Sequence, residues 1–187
     1  MRLFRFVAVV ALVLAAGAAS AEEIPNPEFV SWSKFKKGTS VTLKTTATVS
    51  GITSETLSTT TLVEVGPGQV VIETKAVSKV NGMSFDSPPQ KREVAKTLKL
   101  PDGGKKPDAK GGQPPGTYEE GTETLKVGGT EIKTKWYKTR SEGDGFKTDS
   151  KVWMSDDAPG VMVKMEAITT GADASTIKME LVEFKKP

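Results

Sequence analysis

From residue 39 onward the chain keeps returning to one pattern, short runs of Val, Ile, Leu and Thr with period two, each closed by a glycine-containing break. In residues 40–50, S-V-T-L-K-T-T-A-T-V-S, Val41, Leu43, Ala47 and Val49 alternate with Thr42, Lys44, Thr46 and Thr48. Alternate side chains of a strand point to opposite faces, so this run reads as a strand with one apolar and one wet, Thr-rich face. Residues 56–65 repeat the texture and end at Gly66-Pro67-Gly68, and residues 69–80 continue it with Val70, Ile72 and Ala76 on one side. Asn81-Gly82 then signals a two-residue hairpin, because both positions tolerate the positive φ of a type I′ turn. These strands are expected to connect as a meander.

Pro88 and Pro89 are expected to interrupt the sheet, after which residues 91–100, K-R-E-V-A-K-T-L-K-L, read as either a strand or a short helix, with the strand preferred because Pro101 and the meander bound it closely. Residues 101–116, P-D-G-G-K-K-P-D-A-K-G-G-Q-P-P-G, hold no apolar side chain but Ala109, and a stretch of this composition does not recover its ordering entropy by burial. An extended mobile loop is expected there, with a lid or a lysine-presenting loop as the functional alternative. The second half resumes the β texture at residues 118–127, 130–140, 146–155, 161–170 and 176–185, punctuated by Gly128-Gly129, E-G-D-G, D-D-A-P-G and G-A-D-A-S. No long helical pattern separates the strands, which disfavours parallel crossovers. The sequence therefore predicts a mainly β fold, a single curved antiparallel sheet or open half-barrel of about nine to ten strands with one short N-terminal helix.

That helix is expected in residues 22–38, E-E-I-P-N-P-E-F-V-S-W-S-K-F-K-K-G. Asn26 suits the N-cap, Pro27 the first helical position, Glu28 the positive end, Lys36 and Lys37 the last turn, and Gly38 the stop, giving about ten residues. Phe29, Trp32 and Phe35 recur at spacing three, an aromatic stripe read as packing on the sheet, with a ligand-gripping patch as the alternative.

Ahead of the helix, Arg2 and Arg5 precede an apolar run to about Ala16, and Ala19-Ser20-Ala21 has small-x-small form. Residues 1–21 read as a secretory signal peptide, since the run is too short to span a bilayer, and residues 22–187 as a single β-rich domain. The protein is expected to be exported to a bacterial periplasm or extracellular space and soluble, with no transmembrane segment after cleavage. Cleavage would remove two of the 26 basic residues and none of the 23 acidic ones, leaving a chain close to neutral. A nucleic-acid partner then has no electrostatic basis.

The chain has neither Cys nor His. Disulfides, thiolate or imidazole zinc sites, Ser-His-Asp and Cys-His catalysis and a histidine-ligated haem are excluded, and the domain must be held by burial and sheet pairing alone. Asp156 and Asp157, in residues 151–167, K-V-W-M-S-D-D-A-P-G-V-M-V-K-M-E-A, are the most conspicuous carboxylates left. They lack the D-x-D-x-D-G spacing of a calcium loop, and adjacent residues diverge rather than face each other across a sugar-sized cleft. A hairpin turn accounts for them, with Asp bonding nearby amides and Pro159-Gly160 at the bend. Ser31 and Lys34 match S-x-x-K spacing without the supporting motifs of a serine-lysine enzyme. No catalytic residue, metal or cofactor is expected, and the protein reads as non-enzymatic.

The apolar inventory of the second half, Trp136, Tyr137, Trp153, Met154, Met162, Met165 and Met179, supplies the candidate ligand-binding residues Trp136, Trp153, Met154 and Met165. Alternation puts Trp136 with Ile132, and Trp153 opposite Val152 and Met154, which reads as an aromatic on each face of the sheet.

A short helix, a long meander and a late K-V-W-x-S-x-D-x-x-G-x-x-V-K-x-E hairpin resemble the periplasmic lipoprotein-carrier superfamily, on Lys151, Val152, Trp153, Ser155, Asp156, Gly160, Val163, Lys164 and Glu166. The W-x-S-D-D-x-P-G-x-x-V-K stretch is also similar to one in exported bacterial proteins of uncharacterised function. The first resemblance implies an open half-barrel binding acyl chains or another apolar ligand on its concave face; it also implies a strongly apolar face, whereas Thr45, Thr46, Thr48, Thr59, Thr60 and Thr61 crowd the first strands. The expected function is thus an exported binding protein holding a lipid or other apolar or amphiphilic ligand in a curved-sheet groove. The alternative is an envelope-structural module that contacts a protein partner and takes no small molecule.

Overall fold

Two-residue turns set the architecture. In a computed structural model of the chain, residues 23–99, 113–143, 145–171 and 174–187 are described. Ser50-Gly51, Asn81-Gly82 and Gly128-Gly129 each hold positive φ at both positions, the geometry whose twist matches that of paired antiparallel strands. In chain order the elements are β1 (Glu23–Pro25), α1 (Pro27–Trp32), β2 (Ser40–Val49), β3 (Ile52–Val65), β4 (Gln69–Val80), β5 (Met83–Ala95) and β6 (Thr97–Lys99). The second half adds β7 (Thr117–Val127), β8 (Thr130–Gly143), β9 (Phe146–Met154), β10 (Met162–Gly171) and β11 (Ser175–Lys185).

Nine of these strands form one antiparallel sheet in the order β5-β4-β3-β2-β11-β10-β9-β8-β7, and β1 pairs with β6 in a small second sheet. Among the described residues the expected fold class is what the chain adopts: mainly β, one large antiparallel sheet, one short helix and no closed barrel. The sheet is two meanders, β2 to β5 and β7 to β11, joined by the pairing of β2 with β11. Leu43 meets Leu181 and Thr45 meets Met179 at that seam.

Two local expectations are corrected. The prolines do not break the sheet, because β5 runs through Pro88 and Pro89 and absorbs them in a bulge opposite Thr74 and Ala76. β5 is an edge strand, where a missing N–H leaves no neighbour unsatisfied. The helix has six residues rather than about ten. Asn26 caps it by accepting from the Glu28 N–H at 3.0 Å, but Ser33 already closes on the Phe29 carbonyl and Phe35 N–H on that of Trp32. Phe35 leaves the helix to meet Phe184 edge-on, centroids 5.9 Å apart, and Lys36 and Lys37 fall beyond the last turn.

The core lies under α1 and along one end of the sheet. Phe29 and Trp32 pack with Val41, Leu62, Val70, Ile72, Val94 and Leu181, and Leu62 and Val70 are fully buried. Phe29 and Trp32 of the aromatic stripe are core, as expected, and Phe35 is partly buried against them. At the same end β7 bends back towards β11, so that Val127, Ile132 and Val163 join this cluster and Gly128 approaches the Val182 carbonyl. The loop expected at residues 101–116 lies outside the described residues except for residues 113–116, and the whole of the expected signal peptide lies outside them.

Candidate ligand-binding face

Register shows which side chains share a face. Directly opposed pairs run across the sheet from Val80–Met83 and Ser78–Phe85, through Thr56–Ser78, Ser54–Val80 and Ala47–Ser54, to Thr45–Met179 and Ala47–Ile177. They continue through Met165–Met179 and Ala167–Ile177 to Val152–Met165, Ser150–Ala167, Tyr137–Val152 and Thr139–Ser150. None of these side chains is charged. Most are half-buried, and at the hairpin end the face finishes in exposed apolar groups, with Met83 60%, Ile52 55% and Phe85 54% exposed.

The hydroxyls on this face largely satisfy one another. Thr56 with Ser78 (2.9 Å), Thr60 with Thr74 (3.1 Å), Thr139 with Ser150 (2.6 Å) and Thr148 with Thr169 (3.0 Å) are cross-strand hydroxyl pairs. A paired hydroxyl has spent its proton or its best acceptor direction on its neighbour, and for threonine it turns a methyl outward. The Thr-rich first strands are therefore less polar in effect than in composition.

The opposite face carries the ion pairs, among threonines and single apolar side chains such as Leu57 and Val77. Lys44 pairs with Glu55 (2.9 Å), Lys164 with Glu166 (2.9 Å), Lys178 with Glu180 (2.9 Å), Lys138 with Glu119 (2.7 Å) and Arg140 with Asp149 (2.7 Å). The hydrogen bond from Lys44 holds the Glu55 carboxyl below its ordinary range. Hydrogen bonds to Glu119, Asp149 and Glu180 likewise raise Lys138, Arg140 and Lys178 above theirs.

The four candidate residues divide between these faces. Trp136 and Trp153 are register partners on the charged face, which corrects the expectation of one aromatic on each face. Trp153 is 3% exposed, donates Nε1–H to Glu123 at 2.8 Å and lies under the ammoniums of Lys151 (4.4 Å) and Lys164 (4.6 Å). Lys151 also covers Trp136 at 4.3 Å, and Trp136 lies against Gly121, where an added Cβ would sit 2.5 Å from the indole. This is a filled stack of cations on indoles. Met154 and Met165 lie on the uncharged face.

The stretch with Asp156 and Asp157 connects β9 to β10 as a hairpin, and it does more than turn. Ser155, rather than an aspartate, accepts from the Asp157 N–H at 3.2 Å. Asp156 instead meets Lys34 at 3.2 Å, the Gly160 N–H donates to the Ser31 hydroxyl at 2.7 Å, and Ala158 and Pro159 are buried. The loop thus fastens the sheet to α1, which accounts for both Ser31 and Lys34. Val161 at its end holds φ +66°, costly for a β-branched residue and sustained by bonds to Ser155 and Ala158.

On the α1 side of this loop is a cavity of about 170 Å³ lined by Trp32, Val41, Leu43, Ile72, Met162 and Leu181, with the Arg92–Glu28 pair at 2.6 Å on its rim. That hydrogen bond holds the Arg92 guanidinium above its ordinary range. On the other side is a cleft of about 630 Å³ between the loop and β7 and β8. Among the described residues no group of three or more His, Cys, Asp or Glu could hold a metal ion, and no helix is long and apolar enough to cross a membrane.

Protein-family models, curated proteins and solved structures yield no match to this chain. What fold and surface define is a class: an open antiparallel sheet protein with one face that carries the ion pairs and one whose central register pairs are uncharged, the latter bordered by Lys133 and Lys135 of β8 and by Arg92 of β5 and capped at one end by a short helix and a fastening loop. Within each strand, the alternation that makes the uncharged face is visible in the sequence. That the face continues across both meanders is not, because only the β2 and β11 registers carry that signal.

Proposed function

We propose that this is an exported, non-enzymatic protein that binds an apolar or amphiphilic ligand along the uncharged face. The observation that carries the reading is the continuous run of uncharged register pairs from β5 to β8, with hydroxyls paired to each other and apolar groups exposed at the hairpin end. Such a surface offers few directional donors or acceptors to a folded protein partner, whereas an alkyl chain requires none. The cavity beneath α1 continues this face past Leu43 and Thr60 and offers an apolar end point. The export of the chain rests on the leader pattern of residues 1–21.

The test uses neighbours that point opposite ways. Ala167 lies on the uncharged face and Ile168 on the charged one, 56% exposed. The purified chain should bind a fluorescent fatty-acid probe saturably. Ala167→Lys should weaken binding by about tenfold or more, because the bound alkyl chain would then desolvate an ammonium, and Ile168→Lys should leave it unchanged. Trp136 and Trp153 lie on the far face, so the readout is probe emission and not indole quenching. Absence of saturable uptake, or equal effects of the two lysines, would sink the reading.

A further inference from the structure

The cleft on the second side of the β9–β10 loop has opposed charges for walls. Lys133 and Lys135 leave β8 on the side of Tyr137, about 7 Å apart as alternate residues of a strand, beside Thr122 and Thr124 of β7. Across from them stand Asp156 and Asp157, with Met154 and Ser155 between.

Their partners leave an imbalance. Asp156 is already paired with Lys34, and Glu123 at the cleft edge accepts from Trp153 and reaches Lys151 at 3.9 Å. Among the described residues neither Lys133, Lys135 nor Asp157 takes part in an ion pair, and Lys135 has only the Tyr137 ring, 5.8 Å away. Among the described residues, two ammoniums and one carboxylate without an ion-pair partner thus line a space of small-molecule size. A simple anion would meet Asp157 and a simple cation would meet the lysines. A group that carries a phosphate and, a few bonds away, an ammonium satisfies both walls.

We infer that this cleft binds a phosphate-ammonium zwitterion, the head of an amphiphile whose chain lies on the uncharged face. Met154 makes the junction, standing between Lys135 of β8 and Met162 of β10 and followed along β9 by Val152, which meets Met165 on that face. The inference rests on the ligand-binding reading of that face, and adds the ligand's head chemistry.

Calorimetric titration of the purified chain with single-chain amphiphiles of one tail length tests it: a lysophosphatidylethanolamine, the fatty acid and the alkylammonium, with free phosphoethanolamine as a fourth arm. The zwitterionic amphiphile should bind about tenfold more tightly than either singly charged one. Lys133→Ala with Lys135→Ala should abolish that preference and its salt dependence while tail-driven affinity persists. Asp157→Asn should lower the affinity for the zwitterion and leave that for the fatty acid undiminished. Free phosphoethanolamine should bind weakly and lose binding in the double lysine variant; if it binds as tightly as the amphiphile, the ligand is a soluble zwitterion and the amphiphile assignment is overturned. Equal affinity for all three heads, unmoved by the lysine variants, overturns the head site and leaves the face reading standing. Failure of every amphiphile to bind overturns both.

Discussion

Under α1 and beyond it, one face of the same strands behaves in two ways. On β3 and β4, Leu62 and Ile72 sit beneath the helix at 0% and 2% exposure, whereas a few residues further along Ser58, Ala76, Thr56 and Ser78 share that face half-buried and bounded by paired hydroxyls. The alternation is continuous across both stretches, and neither carries a charged side chain. What differs is the side-chain type and the layer above it: large branched groups where six helical residues and a docked loop give them something to touch, small or hydroxylated ones where no described element of any length lies over them. A sheet face without charge is therefore not automatically core. It becomes core only where a second layer arrives, and elsewhere it stays a half-buried surface.

Truncating one residue in each stretch tests the contrast most directly. Leu62→Ala should cost about 2 to 5 kcal/mol in urea denaturation, since the site is fully enclosed and cannot collapse, while Ile177→Ala beyond the helix should cost under about 1.5 kcal/mol. Equal costs would mean that the open stretch is packed as tightly as the core. Removing the fastening should have a smaller effect. Ser31→Ala leaves the Gly160 N–H without its 2.7 Å acceptor and should lower stability by about 1 kcal/mol, with faster amide exchange at residues 158–161 than in β3.

The smallest effect belongs to the charged face. Because Glu55 titrates below its ordinary range in the folded chain, its contribution is present above that range and fades as the pH falls through the folded value. A carboxyl titration by NMR should show a depressed midpoint for Glu55 that Lys44→Ala returns to normal, with little change in global stability because both side chains are well exposed. A midpoint that ignores Lys44 would remove the ion pair from the account.

Much of the fold was legible. Period-two runs and the pairs Asn81-Gly82 and Gly128-Gly129 located strands and turns, because both signals act within a few residues. The helix start was legible at Asn26 and Pro27, but its end was not, since Phe35 is drawn away by Phe184 from the far end of the chain. The prolines of β5 were misread because their cost depends on whether the strand is an edge, and strand order is not a local property. Of the candidate site, Met154 and Met165 share one face while Trp136 and Trp153 lie together on the other. Parity counted separately in each strand had parted the two indoles, and the β8–β9 register joined them.

By itself the sequence determined the class of structure and the chemistry it lacks. Alternation and turn residues require an antiparallel sheet, and a chain without Cys or His has no thiol or imidazole to offer. Only the tertiary structure decided that the two meanders meet at β2 and β11, so that separate apolar alternations become one uncharged face, and that the Asp156 loop crosses to α1 and divides that face into a cavity and a cleft. The physical reason is that alternation specifies the side of a strand, while the neighbour on that side is chosen by contacts between residues more than a hundred positions apart, such as Thr45 with Met179 and Ser31 with Gly160.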